Sequence, residues 1–384
     1  MSEETKIRSI SFSNYKEYYI TIGRCNVDRS YLKPFLSNLQ KKQIKIISIT
    51  YSGNSEKFRL FSHLFRTYPT VIIGDSTGRA KGNNAGVYIH AIQGKLKNFK
   101  YIKSNREIIG TYFESSGRYD SLFLKTPNDF VSSSLEDFEK EVSGVYEVIE
   151  KNIHEYGFSH EDIYRFWNYM KNVNRNYSSF NKVRDKYFRK HKITDFPAAT
   201  GIEAALPRKQ NISISLEVIK AKNDKYLTIK SLRSDFQCEP LIYGPKFSRA
   251  KLLNFKKDRV KKIYVSGTSS VDRKGNSILG EDYEKNIAYV MSCAEHLLKK
   301  AGMSIENIVM SRVYFKNTAV EKVFEKIYRN KNWDFPYNFL FANICRDNLT
   351  FEIECIAAKP PGVSWATGAG SAISDSRIWL KKIY

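Results

Sequence analysis

The sequence predicts an α+β fold in which two copies of one unit are fused in a single chain. Three observations carry this expectation. The 384 residues are 42% hydrophobic and 14% aromatic, enough for two domains with sizeable cores. β-Branched and aromatic runs alternate with amphipathic helical stretches along the whole chain. One order of elements, helix–strand–helix–Phe-Pro–strand, occurs twice.

Taken in order, Tyr18–Ile22, Ile44–Thr50 and Thr70–Gly74 read as strands, with a helix over Ser55–Thr67 whose apolar positions are Phe58, Leu60, Phe61, Leu64 and Phe65. Ala85–Gly94 and Arg106–Phe113 are further strands. The segments Gly74–Gly78 and Lys81–Asn84 read as turns without phosphate-loop spacing. Leu135–Tyr156 is a long helix with Phe138, Val142, Val145, Ile149 and Ile153 on one stripe and Gly157 as its stop. A strand over Asp162–Met170, a helix from Tyr177 to Lys190, a turn-rich segment over Phe196–Glu203 and a strand over Ile212–Lys220 follow. The second copy opens with a helix from an Asp282 cap to Ala301, closed by Gly302. It continues with a strand over Asn307–Phe315 and a helix whose capping box is Thr318-x-x-Glu321. Phe335-Pro336 leads into strands over Asn338–Ile344 and Leu349–Ala358. The expected division is residues 1–238, with the first copy clearest from 135, and residues 239–384.

The repeat is visible residue by residue. Positions 157–172 and 302–317 share seven identities in sixteen at an offset of 145. After the Phe-Pro pair, Ala221-Lys222 meets Ala358-Lys359. That register sets Glu354 against Glu217 and Glu352 against Ser215. Both acids lie on one face of the last strand, with Phe351, Ile353 and Cys355 on the other. Carboxylates are poor strand formers and costly to bury. Glu354, shared by both copies, reads as framework, and Glu352, kept by one copy only, reads as the candidate for proton transfer.

Composition narrows the classes. Lys plus Arg is 63 against 40 Asp plus Glu, a net +23. The cations are scattered in pairs such as Lys41-Lys42 and Lys261-Lys262, so a solvated surface that attracts small anions is expected rather than a nucleic-acid stripe. No apolar run reaches the ~20 residues of a membrane span. The start, Met1 to Lys6, lacks a signal-peptide pattern, and the five cysteines, including Cys25, form no C-x-x-C pair. A reduced, cytoplasmic setting is expected, without zinc or redox motif.

Val265-Ser266-Gly267-Thr268, Phe335-Pro336 and Phe351–Ala357 resemble the RidA/YjgF-like fold. Three further motifs resemble the chorismatase family: Phe166-Trp167-Asn168-Tyr169-Met170, Phe196–Ile202, and Tyr243-Gly244-Pro245-Lys246-Phe247-Ser248-Arg249-Ala250. With Ile344-Cys345-Arg346-Asp347 and Glu352 they span roughly residues 135–360. The resemblance implies cleavage of chorismate to pyruvate and a ring product, no metal, no organic cofactor, and a pocket between two RidA-like halves. It puts Glu352 at the catalytic glutamate and Cys345 where members that form 3-hydroxybenzoate resemble one another in having Cys. Arg249 and Arg184 resemble the family's arginines and would fork the substrate carboxylates. Arg346 also matches, though it would equally anchor its turn. Tyr243 and Thr200 would donate hydrogen bonds, and Trp167 is expected in the core. Asn338 stands where RidA-type imine deaminases have Arg, which argues against that chemistry. The segment from Val363 to Tyr384 has no counterpart. The expected partner is chorismate, with no nucleic acid or membrane, acting on a monomer. The alternatives are hydrolysis to a dihydroxycyclohexadiene carboxylate, or a catalytically silent module that binds a small anion or RNA.

Overall fold

The computed structural model describes residues 5–23, 29–78, 86–105, 107–128 and 138–360. Cys25, the Lys81–Asn84 turn, the first residues of the helix expected from Leu135, and the segment from Val363 lie outside them. Three runs of elements follow one another. The first is β1 (Thr5–Ser11), β2 (Tyr15–Ile22), α1 (Arg29–Lys41), β3 (Lys45–Gly53), α2 (Phe58–Leu64), β4 (Thr70–Gly74) and β5 (Gly86–Gly94). The second is β6 (Leu96–Ser104), β7 (Glu107–Ser115), β8 (Tyr119–Lys125), α3 (Phe138–Glu155), β9 (Ile163–Met170), α4 (Val173–Lys190), β10 (Ala198–Glu203) and β11 (Ile212–Ala221). The third is β12 (Leu227–Leu232), α5 (Pro240–Tyr243), β13 (Ala250–Phe255), β14 (Val260–Ser269), α6 (Tyr283–Lys300), β15 (Ile308–Phe315), α7 (Thr318–Asn330), β16 (Asn338–Phe341) and β17 (Phe351–Lys359).

Each run makes one sheet, and the sheets have a common topology. Their orders are β1-β2-β5-β3-β4, β6-β7-β8-β11-β9-β10 and β12-β13-β14-β17-β15-β16. The second and third sheets match strand for strand, and the first differs only in lacking the outermost strand. The α+β fold therefore contains three copies of the unit rather than two, the extra copy lying in residues 5–94. The third sheet also starts earlier than the expected boundary at 238, because β12 pairs with β13 over Leu227–Leu232.

The reason is legible in each unit. Helix stripes such as Val142, Val145, Ile149 and Ile153 pack on the outer face of their sheet, giving one apolar cluster per unit. The inner faces of all three sheets meet in a fourth cluster rich in aromatics, among them Tyr19, Tyr88, Trp167, Tyr264 and Tyr314. Strands β9 and β17 are buried along almost their whole length because both faces are covered. Asp282 caps α6 as expected, accepting from Lys285 N at 3.3 Å. The α7 cap is Asn317, which accepts from Ala319 N and Val320 N at 3.0 and 3.1 Å, so Thr318 is the first helical residue and not the cap. Gly157 and Gly302 stop α3 and α6 with φ of +76° and +73°.

Two sequence expectations change here. Ala198–Glu203 is not a turn but strand β10, parallel to β9. The register between the last strands of the two copies also shifts. Each central pair has one bulge, opposite Glu217/Val218 in β9–β11 and at Ile308/Met310 in β9's counterpart β15. Matching the bulges aligns Arg165 with Met310, hence Glu217 with Ile356, Ser215 with Glu354 and Ser213 with Glu352. The third copy obeys the same rule, since the β3–β5 bulge aligns His90 with Glu217 and Tyr88 with Ser215. Glu354 is therefore not shared with Glu217.

Charged side chains tie the three sheets together at the centre. Lys262 Nζ of the third sheet donates to Glu17 Oε2 of the first at 2.8 Å. His90 lies 3.7 Å from Glu17 and 3.5 Å from Glu217 of the second sheet. Burial alone would raise Glu17, but the Lys262 ammonium and the His90 ring outweigh it and hold that carboxyl well below the usual range. A second knot joins Arg165, Arg312, Tyr314 and Thr200 around Glu354, and Arg312 reaches Tyr169 at 2.8 Å and Thr50 at 2.9 Å. Among the described residues no helix is long and apolar enough to cross a membrane.

Candidate active site

The second and third sheets dock edge to face. Ala198 of β10 bridges to Ser248, Ala199 N donates to Ser266 Oγ at 2.9 Å, and Ile202 bridges to Ile344. The small side chains of Ala198-Ala199-Thr200-Gly201 let the backbones approach. A narrow cleft opens along this seam. All seven residues singled out in the sequence line it: Thr200 from β10, Arg184 from α4, Tyr243 from α5, Arg249 beside β13, Cys345 and Arg346 from the β16–β17 loop, and Glu352 from β17.

Glu352 is 5% exposed and sits in register with Ser269 and Tyr314 on the neighbouring strands. Burial, then the nearby Glu354 charge, push its carboxyl up to about 8, against the pull of Arg249 and Arg165. It is therefore an acid that keeps its proton near neutral pH. Space for it is made by Gly267, in the β14 bulge between Val265 and Thr268. A Cβ at 267 would run into Glu352 Oε1 and meet Thr200 Cγ2 at 3.1 Å. Gly267→Ala should therefore displace the carboxyl and lower kcat on the order of tenfold or more with the fold retained, since a shift of about 1 Å costs up to 10²-fold. Steady-state kinetics beside a circular dichroism melt would check this.

Three guanidinium groups surround the cleft, each anchored differently. Arg249 is 2% exposed and donates to the Cys238 carbonyl at 3.2 Å (Nε) and 2.6 Å (Nη2), with the Tyr243 hydroxyl accepting at 3.3 Å. Arg184 is buried, donates to Asn181 Oδ1 at 2.6 Å, and has an Nε with no partner. Arg346 holds the turn beneath it, donating to Gly275 O at 2.7 Å and Ser277 Oγ at 3.2 Å, and stacks over Tyr243 at 4.8 Å. The turn-anchoring role expected of it is the one these contacts show. With Glu352 protonated, the lining is strongly cationic and fits a small molecule with carboxylates.

Thr200 is placed in the cleft wall, but its hydroxyl proton is directed at Glu354 while Arg165 Nη2 and Gly267 N donate to its oxygen at 2.6 and 3.0 Å. It sets the distance between the Glu354 knot and Gly267, and no hydroxyl proton remains for a ligand. Burial, then Glu352, push the Cys345 thiol up to about 12, so it stays a thiol and not a nucleophilic thiolate. Trp167 lies in the central core, as expected.

Nine further residues line the cleft, and besides Gly267 two of them bear directly on the seven. Tyr177 opens the same α4 face as Arg184, seven residues on, and hydrogen-bonds Cys345. Its spacing to Arg184 was the available signal. Asn168 donates to Thr200 O at 3.1 Å and leaves its Oδ1 without a partner at the cleft.

The three-copy register explains why the acid occurs at one seam. Thr200 aligns with Asn338 of β16 and Val71 of β4, and Glu352 with Gly86 of β5 and Ser213 of β11. At the seam between the third and first sheets, Asn338 faces Gly86, where an added Cβ would meet Asn338 Oδ1 at 2.8 Å. No carboxyl occupies that position.

Residues 255–359 match the Endoribonuclease L-PSP family. Over 99 residues the chain is 33% identical to a RutC family protein of Saccharolobus solfataricus, which covers 25% of this chain and 79% of that relative. The chain belongs to the endoribonuclease L-PSP (RutC) family. The matched segment covers β14 to β17 with α6 and α7, without β12 and most of β13, and so supplies the Glu352 wall of the cleft. The whole chain is similar in fold to a crystal structure of a chorismatase, with a TM-score of 0.63 at 15% identity over 90% of this chain and 100% of that one. The YjgF gene product of E. coli, 19% identical, aligns with 34% of this chain and 98% of its own, with a TM-score of 0.27.

Proposed function

We propose that the cleft cleaves the enolpyruvyl ether of chorismate, releasing pyruvate and 3-hydroxybenzoate, with Glu352 as general acid. The observation that carries this reading is a carboxyl raised to about 8 by burial, facing a ring of arginines. The likeness in fold to a chorismatase over nine-tenths of the chain supports it.

Chorismate presents two carboxylates, a vinyl ether and a ring hydroxyl. Arg184 and Arg249 take the carboxylates, and Arg346 adds positive charge at the loop. Glu352 transfers its proton to the methylene carbon, making an oxocarbenium-like centre and a carboxylate. The ring hydroxyl attacks that centre and passes its proton to the ether oxygen, whose bond to the former vinyl carbon breaks and leaves a hydroxyl on the ring. Loss of the proton from that hydroxyl-bearing ring carbon then breaks the ring C–O bond of the attacking oxygen, which leaves as the keto oxygen of pyruvate, and the ring becomes aromatic. The proton returned by the ring balances the one Glu352 gave, and no water is consumed. Attack by water instead yields the cyclohexadiene diol. The protonated Cys345 thiol, lining the cleft with Tyr177, favours the first course by filling space that water would otherwise take.

The test is to incubate the purified chain with chorismate, follow pyruvate by lactate dehydrogenase coupling, and identify the ring product by chromatography. Absence of pyruvate would remove the proposal. A Cys345→Ala variant should keep pyruvate release within about tenfold but shift the ring product toward the diol, because the smaller side chain admits water. An unchanged product ratio would show that Cys345 plays no part in partitioning.

A further inference from the structure

Three of the six histidines meet at one point outside the cleft. His154 ends α3, His160 lies in the turn before β9, and His191 follows the last residue of α4. Ring centroids of His160 and His191 are 3.5 Å apart, and those of His154 and His160 are 5.0 Å apart. Glu150, one helical turn before His154 on the same face of α3, completes the group. Donor atoms of Glu150, His160 and His191 all lie within 4.8 Å of one another.

The polar atoms are arranged for a ligand. His160 is 7% exposed, its Nδ1 is bonded to the Tyr187 hydroxyl at 2.5 Å, and its Nε2 has no partner. That Tyr187 contact holds the ring as an outer partner holds a metal-bound histidine, and in the tautomer in which Nδ1 donates to the Tyr187 hydroxyl the Nε2 lone pair is left for a ligand. His191 Nε2 is likewise buried without a hydrogen bond, 3.5 Å from Glu150 Oε2. The C-terminal ends of α3 and α4 meet here and favour a cation through their aligned carbonyls. Lys190, whose side chain is 63% exposed, holds Glu150 at 2.9 Å and is free to swing into water.

We propose that Glu150, His160 and His191, with His154 as fourth ligand, bind one zinc ion that staples the ends of α3 and α4. Imidazoles with one carboxylate suit Zn²⁺, and tetrahedral coordination requires donors roughly 3.3–3.6 Å apart, so binding contracts the cluster and turns the His160 and His191 rings out of their 26° stack. The ion is structural and separate from the chemistry of the cleft. Its effect there is indirect, since α4 also carries Tyr177 and Arg184.

The test uses tag-free full chain, stripped with chelator, loaded with Zn²⁺ and desalted. Elemental analysis should find one zinc per chain, Co²⁺ substitution should give the visible absorption of a tetrahedral site, and zinc should raise the thermal midpoint. His191→Gln and Glu150→Gln lie at the partly exposed rim, so both should fold, lose zinc retention and lose the thermal shift. His296→Gln, whose ring sits beside Asp235 elsewhere on the surface, should retain both. Absence of retained zinc in the parent chain would overturn the proposal, as would equal retention in the His191 and Glu150 variants.

Discussion

Glu352→Gln should reduce kcat for pyruvate release by on the order of 10²–10⁴, the usual contribution of a positioned general acid. Glutamine matches the shape of the carboxylic acid but has no proton of sufficient acidity to give to carbon. In the parent chain the rate should fall as pH rises through about 8, where Glu352 loses its proton, and this limb should be absent from the residual rate of the variant. Stability should move the other way. The folded pKa lies above the ordinary 4.5, so between those values the native chain binds a proton that the unfolded chain does not. Stability contributed by this group therefore decreases as pH rises from about 4.5 to about 8 and is level above that. Glu352→Gln escapes that loss, and at pH 8 and above its denaturant midpoint should equal or exceed that of the parent. An inactive variant that is also less stable at high pH would contradict the assignment.

Lys262→Met should be the most destabilising single change at the centre, costing about 3–5 kcal/mol near neutral pH. The substitution keeps the apolar stem and removes the cation between Glu17 and the aromatic rings of Tyr19 and Tyr264. Two buried carboxylates, Glu17 and Glu217, would then share the His90 ring, each keeping one tyrosine hydroxyl, Tyr19 and Tyr164 at 2.8 Å. Glu17 is held below its ordinary value in the parent, so its stabilisation is present above about pH 4.5 and is lost as pH falls through its folded value. The gap between parent and variant should accordingly narrow at about pH 5, where the variant's carboxyl takes up a proton. Urea unfolding at the two pH values measures both the gap and its narrowing.

Particular residues show why some of this was legible in the sequence. Helix stripes and the identities at 157–172 exposed two copies because those positions are constrained by the same turn and stop, Ser159 and Ser304 each opening a capping box and Gly157 and Gly302 each closing a helix. The first copy was hidden because what it shares is strand order. At the aligned positions Ser48, Arg165 and Met310, side chains have nothing in common. The misplaced partner of Glu354 has a related cause. A slip of two residues keeps every side chain on its own face, so alternation alone cannot detect it, and only the bulge fixes the register. Strand β10 was read as a turn because Ala198-Ala199-Thr200-Gly201 has low strand propensity, and close docking on the third sheet overrides it. The cleft's acid and arginines were legible as residue types. Gly267 and Tyr177 were not, since their value lies in what stands opposite them.

Three equivalent sheets on one chain have a consequence for how this protein can change. A ring of three identical chains must carry every substitution three times, so a buried acid acquired for one seam would burden the other two with the same desolvation. Here Gly86 and Ser213 occupy the corresponding places, and the cost of holding a neutral carboxyl is met once per molecule. The two walls of the cleft are also joined by covalent chain, so their local concentration does not depend on how dilute the protein becomes. Fusion thus separates the inheritance of the scaffold from that of the site, so that one seam can specialise without the same change being forced on the other two.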